Sequence, residues 1–74
     1  MQLSDLQQNQ EAIIKKIDSS DDLKQRFYSF GIIEGTPIKI ETISLAKNTM
    51  EINVEDTSIG LRVDEAKYIE VEVI

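Results

Sequence analysis

Three aspartates stand close together in the run Asp18-Ser19-Ser20-Asp21-Asp22. Hard oxygen donors at such spacing suit a divalent cation, and a calcium-type site would continue into a Gly-containing ligand loop. No such loop follows. The same run is what a helix start requires. Ser19 or Ser20 can accept hydrogen bonds from free N–H groups, and Asp21 and Asp22 lie where the helix dipole favours anions. A helix start therefore accounts for these acids. Other chemistry is scarce, because the chain has no cysteine and no histidine. Thiol catalysis, disulfides, thiolate or imidazole metal ligation and the usual general base are all excluded. Glu51, Glu55, Glu70 and Glu72 take outward positions in alternating segments and read as a solvated acidic face. No catalytic residue, cofactor site or metal site is expected.

The charge balance narrows the partners. Eight basic residues against fourteen acids give a net charge of −6, and only Lys15 and Lys16 form an adjacent basic pair. A nucleic-acid surface needs clustered Lys and Arg to release counterions, so none is expected. No apolar run approaches the ~20 residues that span a bilayer. The opening Met1-Gln2-Leu3-Ser4 lacks the basic and apolar regions of a signal peptide. The expectation is a soluble, cytoplasmic chain with no membrane insertion. At 74 residues it reads as one domain, residues 1–74, burying roughly 60% of its unfolded surface around a thin core.

The elements follow from periodicity and punctuation. Leu3 and Leu6 cover one end of the core or form a partner-binding edge, with Ser4 as the cap of a single turn and Gln7 to Gln10 as a polar turn. Glu11 to Ile17 reads as a strand. Its neighbouring Ile13 and Ile14 break alternation, which means burial on both faces or a bulge. A helix is expected over Asp21–Phe30, with Leu23, Phe27 and Phe30 as one apolar stripe at i, i+4 and i+7. Gly31 ends it in the left-handed conformation. Ile33-Glu34-Gly35-Thr36 reads as a β-turn with Gly35 at the position where type II needs positive φ. Pro37 then marks a strand start. Ile38 and Ile40 point one way, while Ile43 and Leu45 continue on the opposite parity, so a kink or bulge is expected near Thr42. Ala46 to Thr49 is a loop with Asn48 in a left-handed turn. Met50, Ile52 and Val54 alternate with polar residues, and Glu55 to Ser58 turn into Ile59, Leu61 and Val63. Asp64 to Lys67 make one helical turn capped by Asp64, and Ile69, Val71 and Val73 form the last strand. The fold class is mainly β: five short strands suit a small closed or nearly closed barrel, with one α-helix between strands 1 and 2 and a short helical turn before the last strand.

These segments carry a family resemblance. Leu23 to Ile38, reading Leu-Lys-Gln-Arg-Phe-Tyr-Ser-Phe-Gly-Ile-Ile-Glu-Gly-Thr-Pro-Ile, resembles the Leu-x-x-Arg-Leu-x-x-Leu-Gly-(Ile/Phe)-x-Pro-Gly-Thr-x-(Val/Ile) signature of the FeoA family. The opening at Met1 to Leu6 is similar to that family's start. Ser58 to Val71 resembles its (Ile/Leu)-x-Leu-Arg-x-x-Glu-Ala-x-x-Ile-x-Val ending. Three departures stand out: Glu34 replaces a proline, Phe27 and Phe30 replace leucines, and the loop at Leu45 to Thr49 is shorter and lacks Pro and Gly.

The resemblance implies an SH3-like barrel and an accessory protein of bacterial ferrous iron uptake that is not an enzyme. It would bind the cytoplasmic domain of the FeoB membrane transporter and support or regulate it. Phe27, Tyr28, Phe30, Ile32 and Ile33, around the helix end and turn, are the partner-binding candidates. Phe27 and Phe30 also have a core reading, and Tyr28 and Ile33 are expected to be exposed. An alternative is a divalent-metal-sensing module related to the C-terminal SH3-like part of DtxR-type repressors; without His or Cys its site would be all-oxygen and weak. A generic protein-interaction barrel is a third reading. The last strand, ending in Val71-Glu72-Val73-Ile74, offers an edge for self-pairing that Glu70 and Glu72 discourage.

Overall fold

Five alternating strands form the frame of residues 1–74, all of which the computed structural model describes. A 3₁₀ turn at Leu3–Asp5 precedes β1 (Glu11–Ile17), α1 (Asp21–Ser29), β2 (Pro37–Ser44), β3 (Thr49–Val54), β4 (Thr57–Arg62), α2 (Val63–Ala66) and β5 (Ile69–Val73). All five strands join one antiparallel sheet in the order β4-β3-β2-β1-β5. The mainly-β class and the placement of both helices match the sequence reading. β4 and β5 are the two ends of the sheet and do not pair with each other, so of a closed or nearly closed barrel the strand pairing gives the five-stranded antiparallel sheet alone. The chain turns into α2 directly after β4, then crosses to the far side of β1 before β5 begins.

Two bulges set the curvature. In β1 the pairing with β5 shifts between Ile14 and Lys16, so Lys15 is the extra residue. That shift lets Ala12, Ile14 and Ile17 all reach the core and decides between the two readings of the Ile13-Ile14 step. In β2 the register with β3 shifts between Ile40 and Thr42, where the change of parity predicted it. An extra residue on one strand bends it and tightens its twist, as a small sheet must to wrap round its own core.

That core has 17 buried residues, all hydrophobic, and includes Leu3 and Leu6. The covering role of the N-terminal segment is therefore correct. Its 3₁₀ turn is capped differently from the expectation: the Gln2 N–H donates to the Asp5 carboxylate at 3.0 Å, and Ser4 sits inside the turn. Leu45 also departs from its expected strand position. β2 stops at Ser44, and Leu45 stands 90% exposed on the loop closed by Asn48 at φ 54°. The β3–β4 turn is shorter than expected. Only Glu55 and Asp56 lie between the strands, at φ 50° and 66°, a left-handed pair that matches the twist of a two-residue hairpin. Asp56 N–H is held by the Asn53 side-chain oxygen at 3.1 Å.

α2 begins one residue earlier than its expected cap, since Asp64 lies inside it. Glu65 closes it from within, accepting the Arg62 N–H at 3.0 Å. The same carboxylate meets the Arg26 guanidinium at 3.2 Å, tying α1 to α2. One glutamate thus serves as helix cap and inter-helix tie.

Candidate functional site

The corner between α1 and β2 is built from backbone upward. Ser20 caps α1, its hydroxyl accepting the Leu23 N–H at 3.4 Å. At the other end the helix stops at Ser29, one residue before the expected Phe30, which becomes the C-cap at φ −91°, ψ 0°. Gly31 follows at φ 84°. Its N–H donates to the Tyr28 carbonyl at 3.0 Å, and the Ile32 N–H donates to the Phe27 carbonyl at 2.9 Å. This is the paired closure of a Schellman motif, which brings an apolar residue after the glycine onto the last turn. Phe27 and Ile32 are both fully buried, as that motif requires.

The turn that follows is equally fixed. Gly35 lies at φ 91°, and the Thr36 N–H returns to the Ile33 carbonyl at 3.1 Å. β1 holds the turn from outside, since the Ile14 carbonyl accepts the Gly35 N–H at 2.7 Å and the Ile14 N–H donates to the Thr36 carbonyl at 3.0 Å. Glu34, where the family signature has proline, accepts the Tyr28 hydroxyl at 3.2 Å. Lys24 lies 5.9 Å above the Tyr28 ring, within cation–π range.

The five candidate residues therefore divide. Phe27 and Ile32 are core and present no side chain to a partner. Phe30 and Ile33 are 44% and 46% exposed and flank the buried Ile32. Tyr28 is half-buried, packed against the core with its hydroxyl engaged, so the expectation of exposure holds for Ile33 and not fully for Tyr28. The apolar stripe is corrected as well. Leu23 is partly buried and Phe27 buried, but Phe30 leaves the core because the helix has ended and Ile32 fills that space.

Five exposed hydrophobics lay outside the candidate set: Met1, Leu45, Tyr68, Val73 and Ile74. Leu45 projects from the β2–β3 loop, and Tyr68, 48% exposed, lines the largest surface depression. That depression, about 820 Å³, is bordered by Lys16, Asp18, Asp64, Lys67 and Glu70. Charges of both signs meet there, and Lys67 pairs with Asp64 at 3.6 Å, so it favours neither anion nor cation. Tyr68 shares the outward parity of Glu70 and Glu72 in the last strand, but no sequence signal placed it beside a depression. Nowhere do three or more acidic side chains converge as a metal cage.

Comparison with known proteins sets this geometry in context. The FeoA domain model matches residues 1–73. A candidate Fe(2+) transport protein A of Campylobacter jejuni is 38% identical over 74 residues, covering 100% of both chains. Its counterpart in Helicobacter pylori is 35% identical over 57 residues, which is 77% of this chain and 73% of the other. Among solved structures, iron(II) transport protein A from Clostridium thermocellum superposes with a TM-score of 0.94 at 31% identity, over 100% of this chain and 46% of that one. T. acidophilum IdeR gives 0.88 at 31% identity, over 100% of this chain and 34% of that one. FeoA of Stenotrophomonas maltophilia, described as an SH3 domain protein and solved with zinc, gives 0.84 at 22% identity, over 97% of this chain and 89% of that one.

Proposed function

The chain belongs to the FeoA family, and from that premise we propose that it is a cytoplasmic accessory protein of ferrous iron uptake, not a catalyst, which docks on the cytoplasmic domain of a FeoB-like transporter. The observation that carries the reading is the pair Phe30 and Ile33. Both are exposed apolar side chains on a corner held by hydrogen bonds from the Phe30, Gly31, Ile32, Gly35 and Thr36 N–H groups. A rigid apolar pair loses little entropy on binding, which is what an anchor residue needs. The S. maltophilia relative is described as a candidate activating factor for ferrous iron transport, which agrees with a supporting role. No helix is long and apolar enough to cross a membrane.

Binding to the transporter's cytoplasmic domain tests this, by pull-down and calorimetry. Ile33→Asp and Phe30→Asp are expected to weaken binding about tenfold or more, the scale of a lost anchor, with Tyr28→Ala weaker in effect. Unchanged binding by all three folded variants removes the corner as the docking surface.

The metal-sensing reading has one observation in its favour, the likeness to IdeR. It lacks a convergent donor set, so the docking reading is preferred. Anaerobic calorimetry with ferrous or manganous ion separates them: micromolar, stoichiometric heat supports sensing.

A further inference from the structure

β4 ends the sheet with a bare backbone edge. Its pairing with β3 engages the main-chain groups of Thr57, Ile59 and Leu61, so those of Ser58 and Gly60 point away from the sheet. Neither residue enters any main-chain bond outside the ladder, and both are exposed. The opposite edge is guarded. There the Val71 N–H donates to the Met1 carbonyl at 2.8 Å, Gln2 bridges to Glu70, and Glu70 and Glu72 add like charge. β4 carries neither proline, lysine nor bulge, and of the usual edge protection it has one charged residue, Arg62, at its last position.

The outer face beside this edge is acidic and has a gap in it. Glu51 stands directly across from Gly60 in the close, non-hydrogen-bonded type of pair. The Ser58 hydroxyl donates to the Glu41 carboxylate, which places a second acid on the same face. No atom lies within 4 Å of where a Cβ on Gly60 would stand. A strand added about 4.8 Å beyond β4 would therefore have an open path across Gly60 to Glu51, within the length of a lysine or arginine side chain.

We infer that the β4 edge is a strand-addition site for an extended, basic segment of a partner protein, which hydrogen-bonds Ser58 and Gly60 and lays a cationic side chain across Gly60 onto Glu51. Backbone pairing gives such a site its affinity, and the side chain opposite the gap gives its selectivity. A second copy of the chain fits poorly. Two β4 edges paired antiparallel would gather two Glu51 and two Glu41 carboxylates at one notch, in a chain already at −6, and like charges facing across strands repel. The site is independent of Phe30 and Ile33.

A blocked peptide alternating valine and threonine, with lysine at its centre, is the probe for an NMR titration of the isotope-labelled chain. Hydrogen exchange at the Ser58 and Gly60 amides is expected to slow about tenfold or more as the peptide saturates the edge. Shift changes should cluster on Thr57 to Arg62. A peptide with glutamate at its centre should bind about tenfold more weakly, one unit of opposite charge contact. Gly60→Pro removes the outward N–H at an edge where proline is tolerated and should abolish binding, while Ile33→Asp leaves it intact. Glu51→Lys leaves the backbone untouched and should invert the preference between the two peptides. Absence of protection at Ser58 and Gly60 in millimolar peptide overturns the proposal, as does equal affinity for both peptides. Protection that appears with protein concentration alone also overturns it, assigning the edge to a second copy.

Discussion

Six residues adopt positive φ: Gly31, Gly35, Asn9, Asn48, Glu55 and Asp56. Their chemistry predicts different responses to substitution. A Cβ on Gly31 would meet Val54 Cγ1 at 3.7 Å, an ordinary contact, and one on Gly35 would meet nothing. Strain in the left-handed region is then the common cost, so Gly31→Ala and Gly35→Ala should each lose about 1–2 kcal/mol and by similar amounts. Asp56→Gly should instead gain about 0.5–1 kcal/mol, because it relieves that strain in the hairpin. Urea unfolding at unchanged m-value checks all three; a much larger loss at Gly31 than at Gly35 would show that packing on Val54 governs. Residue chemistry was well exposed to sequence reading here. Gly31, Gly35 and Asn48 were assigned from the rule that few residues tolerate positive φ. Glu55 and Asp56 escaped it, since neither is the Asn or Gly that a two-residue hairpin normally shows.

At the scale of elements, periodicity located all five strands and both helices but misjudged where they stop. Counting seven residues from Leu23 gives Phe30 a core reading beside its candidacy as a partner-binding residue, and that count holds only while the helix continues. Leu45 was placed in a strand by extending an alternation one step past Ser44. Both readings put a side chain inside that the ended element leaves outside, and one of them supplies the candidate docking surface. The bulges show the converse. Parity within β2 revealed its break near Thr42, whereas the two adjacent isoleucines of β1 left two solutions open, and only the register with β5 chose between them. These bulges make a sharp prediction. Lys15→Ala removes an exposed ion pair to Glu72, 3.2 Å long, and should change stability by less than about 0.5 kcal/mol. Deleting Lys15 makes the pairing with β5 regular and keeps Ala12, Ile14 and Ile17 on the core face, but it straightens β1, so the variant should fold with a lowered melting temperature. Circular dichroism distinguishes these outcomes, and a deletion variant with native signal and melting temperature would refute the role given to the bulge.

At the scale of the whole molecule, fourteen acids oppose eight bases, and the side-chain ion pairs are largely exposed. Exposed pairs contribute little, so self-repulsion of the net negative charge should dominate the response to salt. Raising sodium chloride from about 0.01 M to about 1 M shortens the screening length from about 30 Å to about 3 Å. The melting temperature should rise by a few degrees, equivalent to roughly 0.5–1 kcal/mol in a domain this small. A fall on adding salt would mean that attractive pairs outweigh the net charge. Sheet closure was the global feature least visible in the sequence, because five apolar faces specify a wrapped sheet without specifying which edges meet. The observed order has a temporal consequence. β1 sits between β2 and β5, with Ala12 opposite both Ile38 and Val73, while β2, β3 and β4 are joined by short hairpins. During synthesis the hairpin trio can assemble early, but the first strand must wait for the last before its second flank is covered. Such distant pairing slows folding, and it leaves Ile14 and Ile17 without their final cover for as long as β5 is still to come.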